Sequence, residues 1–349
     1  MMTNPRPLST VTPKVLIVIP CLDEVAYIEK IVQFCYHEQP PEHAKIVVAD
    51  GGSQDGTLTI LTKLAHRYSN LVILYNPKKI QSSGVNLAVE MFGHDFDVFV
   101  RIDVHADYST GYIKALVEEK HKMQADAVVV SMDTQGKSPL QRLIAATQNS
   151  ALGNGGSGHR NSLSKGEWVE HGHHALMSTA IFTQVKGYDE SFSHNEDAEL
   201  DARIIKQGGK IWLTAKTSLT YYPRDRFSTL FKQYKGYGSG RCKTLFKHRL
   251  KPKLRQTLPV IVFPALLLTG LAPVTPFALI PALTWAVLCL LVGALLGKRS
   301  SLKGAMKFLL GVPAMVMHLG WSLGFCQQLI RQIFSKKNRH STQALTHES

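Results

Sequence analysis

Residues 258–297 contain no Asp, Glu, Lys or Arg, and neither do residues 308–330. A helix of roughly 20 apolar residues crosses a bilayer core, so the first run is long enough for one long or two short spans. Neither run has the polar stripe of a surface helix in a soluble domain, and the first follows a basic segment, which points to a membrane rather than a soluble core. In residues 224–255, 11 Lys and Arg stand against one acid, Asp225, a local net charge of +10 out of +14 for the chain. A basic run alone suggests nucleic acid or a solvated face. Immediately before an apolar run it reads instead as a contact for anionic lipid, each charge near the surface contributing about 1 kcal/mol. Membrane lipids are therefore expected partners, and nucleic acid is not.

The opening MMTNPRPLSTVTPK lacks the apolar stretch of a secretory signal. The expectation is a multi-pass protein of the cytoplasmic (inner) membrane whose first domain faces the cytosol. If the first apolar run crosses twice, Lys298, Arg299, Lys303 and Lys307 return to the cytosol, but a third span over 308–330 would put Arg331, Lys336, Lys337 and Arg339 outside. Prolines 259, 264, 273, 276 and 281 also interrupt the first run. One of the three segments is therefore expected to be re-entrant or interfacial. Cys21, Cys35, Cys242, Cys289 and Cys326 have no paired spacing and read as small apolar fillers in a reducing compartment.

Upstream, short apolar runs alternate with longer amphipathic ones. KVLIVIP, AKIVVAD, LVILY, FDVFVRID and DAVVVSM read as strands, and residues 24–36, 56–68, 82–91 and 110–123 as helices. Near-continuous apolar strands separated by helices predict an α/β fold, a mostly parallel sheet with helices on both faces. Ligands of such sheets sit at the carboxyl ends of the strands. Those ends carry Asp23 and Glu24, Asp50 and Asp55, and Asp103, His105 and Asp107. Acids gathered there repel one another unless a cation or hydrogen-bond donor lies between them, so they suggest a site. Asp50 can accept the N3 proton of a uracil ring while Gly51 and Gly52 let the nucleotide approach, and Asp55 falls where a helix N-cap is expected. A dinucleotide oxidoreductase is disfavoured, because IPCLDE stands where G-x-G-x-x-G would follow the first strand.

In order and spacing, IPCLDE, VADGGSQDGT, the strand-end Asp103 and NEDAELDARI resemble the inverting glycosyltransferases of family 2, with the GT-A fold. The stretches VEHGHHALMSTAIFTQVKGYDESFSHNEDAELDARIIKQGGKIWL and RFSTLFKQYKGYGSGR resemble the ExoA-type branch, which extends lipid-linked exopolysaccharide repeat units. The resemblance covers residues 14–245. It implies a UDP-sugar donor, possibly UDP-glucose, held by Pro20, Glu24, Asp50, Asp55, Gly84, Asn86 and Asp103. It also implies a divalent metal, Mn²⁺ or Mg²⁺, on Asp103 and His105. His105 replaces the second Asp of the family's DxD and suits Mn²⁺. Glu196 and Asp197 take the position of the catalytic pair, Asp197 as base. Their acidic helical turn also complements the macrodipole, and Glu199 and Asp201 are expected on other faces.

His173 and His174 are expected at the acceptor or its diphosphate, since EHGHH lacks the spacing of a zinc motif. Gln233 and Arg241 stand roughly where processive relatives keep QxxRW. The Trp is absent, which favours transfer of a single sugar to a polyprenyl-diphosphate-linked saccharide. LGNGGSGHR reads as a phosphate nest or a glycine-hinged lid. The expected organisation is a flexible 1–13, a GT-A domain 14–245, a basic juxtamembrane segment 246–257, two to three membrane helices in 258–330, and a disordered tail 331–349. Two other functions fit the same residues: a polyprenyl-phosphate sugar synthase, whose phosphate acceptor needs no general base, and a non-enzymatic nucleotide-binding membrane protein.

Overall fold

The structure is a computed structural model that describes residues 13–39, 42–155 and 165–345, with side chains to 334. The first half follows the apolar alternation: β1 (Val15–Cys21), α1 (Ile28–Glu38), β2 (Ala44–Asp50), α2 (Thr57–Arg67), β3 (Leu71–Tyr75), α3 (Gln81–Phe92) and β4 (Val98–Arg101). Because side chains alternate across a strand, Ile17 and Ile19 of β1 enter one core with Ile28 and Leu61, while Leu16 and Val18 enter the opposite core with Val85 and Phe182. A strand buried on both faces needs a neighbour on each edge, and β1 pairs in parallel with both β2 and β4.

β5 (Asp107–Tyr108), α4 (Tyr112–Met123) and β6 (Ala127–Thr134) follow. The next part breaks the simple alternation. It contains α5 (Pro139–Gln148), α6 (Ala151–Asn154), β7 (Glu167–Val169), β8 (His173–Ser178), α7 (Thr179–Gln184), α8 (Glu196–Lys206) and β9 (Ile211–Tyr221). The sheet order is β3-β2-β1-β4-β8-β6-β9-β5, with β7 also on β9. β8 lies antiparallel to β4 and β6, so the expected parallel character holds for β3 to β4 and gives way to a mixed sheet beyond it. This insertion brings the HGHH segment beside the end of β4. Residues 156–164 of the glycine loop lie outside the described residues.

α9 (Phe227–His248), α10 (Leu254–Thr257), α11 (Val262–Leu268), α12 (Ile280–Lys298) and α13 (Gly311–Leu345) complete the chain. α9 runs through the expected junction at 245/246, and α13 extends to Leu345 within the segment expected to be a tail, since extending a nucleated helix costs far less than starting one. Among the described residues, Leu254–Leu271 (mean hydropathy 1.5) and Pro276–Lys298 (2.4) are long and apolar enough to cross a membrane by length and composition. Leu267, Phe277, Leu283 and Leu291 stand exposed along them, a surface better suited to lipid than water.

The second charge-free run instead begins α13, which lies along α9. Glycines bring the two backbones together: a Cβ on Gly324 would lie 1.9 Å from the Lys235 carbonyl oxygen, and one on Gly238 2.1 Å from that of Trp321. Gly324→Val is therefore expected to destabilise the chain by about 1–3 kcal/mol or more. The check is thermal unfolding of the detergent-solubilised protein, with Gly270→Ala, where nothing lies within 4 Å, as the unaffected control.

Candidate active site

Three loops meet at the carboxyl ends of β1, β2 and β4, and three of their acids, Asp23, Asp50 and Asp55, accept from backbone N–H groups. Asp50 Oδ1 accepts from the N–H groups of Gly52 (2.8 Å) and Ser53 (2.9 Å), and Oδ2 from Ser53 Oγ (2.5 Å). Asp55 takes Thr57 Oγ1 (2.5 Å) and the N–H groups of Thr57 and Val25 (3.0 Å each), and the Thr57 hydroxyl, more than any other neighbour, holds its carboxyl below the usual range. The helix N-cap itself is Gly56 at φ +104°, so Asp55 acts from one residue further out than expected. These bonds lock the loops and remove the mutual repulsion expected of the acids. Pro20 is half-buried near the end of β1.

Two residues expected at the donor make contacts within the protein. Gly84 is buried between helix and sheet, where a Cβ would meet Ala49 Cβ at 3.0 Å. Asn86 spends its amide on the Tyr188 loop, donating to Tyr188 O (3.0 Å) and Glu190 Oε1 (3.1 Å) and accepting from Tyr188 N–H (2.8 Å). α3 faces the sheet and the 187–190 loop through these positions.

At the centre is Arg101, 5% exposed at the end of β4. Its Nη1 donates to Asp197 Oδ1 at 2.8 Å and to Tyr188 Oη at 3.0 Å, and its Nη2 lies 3.3 Å from Asp197 Oδ2. Its Nε, which has no hydrogen-bond partner among the described residues, faces Asp103 Oδ1 at 3.6 Å. One buried guanidinium thus joins the strand-end Asp103 to the helix-start Asp197. Asp103 also receives Gln81 Nε2 (2.8 Å), and its Oδ2 lies 3.5 Å from His173 Nε2. His105 is half-exposed and lies 3.3 Å from Glu24 Oε1, not beside Asp107, which pairs with Lys30. The Glu24 bond, followed by Asp103, raises the His105 pKa against the effect of burial.

Asp197 begins α8, whose N-cap Asn195 is held at φ +67° and donates to Thr244 Oγ1 at 2.8 Å. Burial alone would raise the Asp197 pKa, but Arg101, then His174 and His173, pull it well below the carboxylate range. Glu196 is pushed up to about 7 by burial and by the adjacent Asp197 charge. His173 is driven down to about 4 by burial and Arg101, leaving a neutral imidazole at neutral pH.

His174, unlike His173, is not among the residues that line the cavity described below. It is buried, with Nε2 2.5 Å from Asp201 Oδ1 and Nδ1 3.3 Å from Tyr188 Oη, and His171 Nδ1 lies 2.7 Å from Asp201 Oδ2. Asp201, expected on another face, lies one helical turn below Asp197, and His174 sits between them. Glu199 does lie elsewhere, bound to Arg203, Lys247 and His248.

Burial lowers the His174 pKa, but Asp201 and Asp197 outweigh it and raise the value overall, while Asp201 is held low by His174 and His171 against its own burial. The raised His174 contributes stability that is present below its unfolded value and lost as pH rises through its folded one. The lowered Asp201 contributes stability that is lost as pH falls through its own. Asp201→Asn is therefore expected to destabilise most between about pH 5 and 6.5 and less at pH 9, by urea unfolding at both.

Asp103, His105, His173, Glu196 and Asp197 line one cavity of about 1420 Å³. Gln233 and Arg241 line it as well, although the Gln233 amide donates to Tyr221 Oη (3.0 Å) and Tyr237 Oη (3.1 Å), tying α9 to β9. No group of three His, Cys, Asp or Glu suited to a metal occurs among the described residues. The donors present, Asp103 Oδ2 with neutral His173, and His105 with Glu24, fit an ion whose remaining ligands are substrate phosphate oxygens and water.

The profile of glycosyl transferase family 2 matches residues 16–185. Succinoglycan biosynthesis protein ExoA of Rhizobium meliloti (strain 1021) is 49% identical over 317 residues, 90% of this chain and 94% of that one. The chain belongs to glycosyl transferase family 2. It is also similar to a Methanococcus voltae dolichyl N-acetyl-alpha-D-glucosaminyl phosphate 3-beta-D-2,3-diacetamido-2,3-dideoxy-beta-D-glucuronosyltransferase, 23% identical over 64% of this chain and 72% of that one. Among solved structures, S. aureus TarS 1-349 aligns over 91% of each chain at 14% identity and a TM-score of 0.47.

This glycosyltransferase therefore brings Asp103, His105, His173, Glu196 and Asp197 to one cavity, with Glu24 held against His105. Sequence reasoning missed Arg101, Tyr188 and Asp201. Arg101 carried one usable signal, a charged residue inside an otherwise apolar strand, which requires a buried partner.

Proposed function

We propose that the chain is an inverting transferase that moves one sugar from a UDP-sugar to a polyprenyl-diphosphate-linked saccharide in synthesis of a succinoglycan-like exopolysaccharide. We further propose that it works at the cytoplasmic membrane with the catalytic domain in the cytosol. The observation that carries this reading is the single cavity in which Asp103 and the Glu196–Asp197 pair face one space, bridged by Arg101. The acceptor hydroxyl oxygen attacks the anomeric carbon from the side opposite UDP. The new C–O bond forms as the bond to the β-phosphate oxygen breaks, and the hydroxyl proton passes to Asp197. Asp103 with His105 or His173 would hold a divalent ion, which would neutralise charge on the leaving UDP. Family 2 enzymes generally depend on such an ion.

Arg101 stands beside both carboxylates, so an incoming diphosphate competes with Asp197 for the guanidinium. Withdrawing that partner makes the Asp197 carboxylate more basic as the donor binds. On this reading the uracil meets Asp50 through Oδ2, which accepts one bond, from Ser53 Oγ, among the described residues. In calorimetry UDP is expected to bind tighter than GDP or ADP, and Asp50→Ala to weaken UDP binding by about 1–3 kcal/mol. A preference for GDP would remove the donor assignment. The whole reading is tested by incubating membranes with a panel of UDP-sugars and identifying the lipid-linked product.

A further inference from the structure

The cavity is larger than a nucleotide-sugar needs. Small-molecule pockets typically occupy about 300–1,000 Å³, whereas this one measures about 1420 Å³. Beyond the carboxylates its lining includes Arg224, Arg241 and Arg255 and apolar residues of the charge-free segments. The arginines form a neck: Arg224 stands close enough to His105 and His194 to act on both, opposing the rise that Glu24 gives His105 and adding to the fall that burial gives His194, and Arg255 Cβ would lie 3.2 Å from a Cβ on Gly155. Arg241 projects from α9 with its Nε buried and without a hydrogen-bond partner among the described residues.

Burial, followed by repulsion from Arg255, pulls the Arg241 guanidinium down to about 10. Two cations thus share a partly desolvated neck in which the Asp201 charge only partly offsets burial and their mutual repulsion, an arrangement that an anion would relieve. Beyond the neck, Ile261 and Leu268 face Trp285, Leu288 and Val292 across an apolar groove. Ile261 is 64% exposed and Leu288 54%, so the groove is open along its side. A soluble saccharide could not use such walls, because its hydroxyls would lose water without gaining partners.

We propose that the arginine neck and this groove are the subsite for the diphosphate and first isoprene units of a polyprenyl-diphosphate-linked acceptor. The proposal rests on the lipid-linked reading above. It adds that the apolar segments are a wall of the active site as well as an anchor. Arg241 and Arg255 hold the diphosphate, the α11 and α12 walls hold the chain, and the saccharide is carried back toward Asp197. The open side lets a lipid enter laterally without leaving the membrane.

The test uses the full chain in phosphatidylglycerol nanodiscs, so that ordinary phospholipid is always in excess. Radiolabelled geranylgeranyl diphosphate is bound at equilibrium, with geranylgeraniol and inorganic pyrophosphate as competitors. Geranylgeranyl diphosphate is expected to bind at least about tenfold tighter than either fragment, because the site has two halves. Arg241→Gln should weaken it about tenfold while geranylgeraniol is unchanged, since a hydrogen-bonded charge is worth roughly that factor. Leu288→Trp, which fills the groove, should weaken both isoprenoids and leave pyrophosphate and UDP binding intact, UDP serving as the folding control. Equal binding of pyrophosphate and geranylgeranyl diphosphate, or native binding by both variants, overturns the subsite. UDP-sugar hydrolysis without acceptor separates the two readings. A chain that hydrolyses donor but fails these binding tests loses the subsite alone, and one that passes them but neither hydrolyses nor transfers from any UDP-sugar loses the donor reading alone.

Discussion

Asp197→Asn is expected to lower sugar transfer by about a thousandfold or more, within the range that removal of a positioned base produces. The amide keeps the shape of the side chain, but it cannot take the acceptor proton. It also leaves Arg101, 5% exposed, without the partner it holds at 2.8 Å. Breaking one side of a buried pair costs about 3–5 kcal/mol, so the variant should also unfold at lower temperature. UDP binding separates the two effects, because it reports a folded donor site without requiring proton transfer.

Glu196→Gln is the companion variant. With Glu196 pushed up to about 7, its carboxyl is neutral below that pH and ionised above it. Ionised Glu196 repels the neighbouring Asp197 charge and strengthens it as a base against the pull of Arg101. Activity of the native enzyme should therefore rise as pH passes through about 7, and the Gln variant should show no such limb. A native-like limb in Glu196→Gln, or an Asp197→Asn enzyme within tenfold of native, would move the base to another residue.

Asp103→Ala should abolish turnover. Its Oδ2 is the carboxylate oxygen open to the cavity beside neutral His173, and a metal bound mainly by substrate phosphates needs such an anchor. Calorimetry provides a readout other than activity: divalent metal should tighten UDP binding to the native chain and have no effect on the variant. Chelation of the native enzyme should reproduce the loss, with Mn²⁺ at least as effective as Mg²⁺ in restoring it. His105→Asp replaces a nitrogen with oxygen and should retain activity while shifting preference toward Mg²⁺. Full turnover in excess chelator would reject the metal assignment altogether.

What the sequence determined by itself was everything carried by local periodicity and charge. β1, β2 and β4 were legible because each is a short apolar run, and a strand buried on both faces leaves little choice but a central position. Asp50 and Asp103 were legible as strand-end acids, and residues 258–297 as membrane-seeking, because uncharged length alone makes that argument. The tertiary structure decided which polar groups meet. Arg101 binds Asp197 across 96 positions only because β8 inserts between β4 and β6 and brings the start of α8 over the end of β4. Gly84 and Asn86 read as donor contacts, and the packing of α3 sets them against Ala49 and Tyr188. α13 reads as a third apolar run, yet glycines on two distant helices let it lie against α9. Periodicity records how much of a side chain is buried, but the partner that satisfies a buried charge is set by strand order and helix approach, which no local pattern contains.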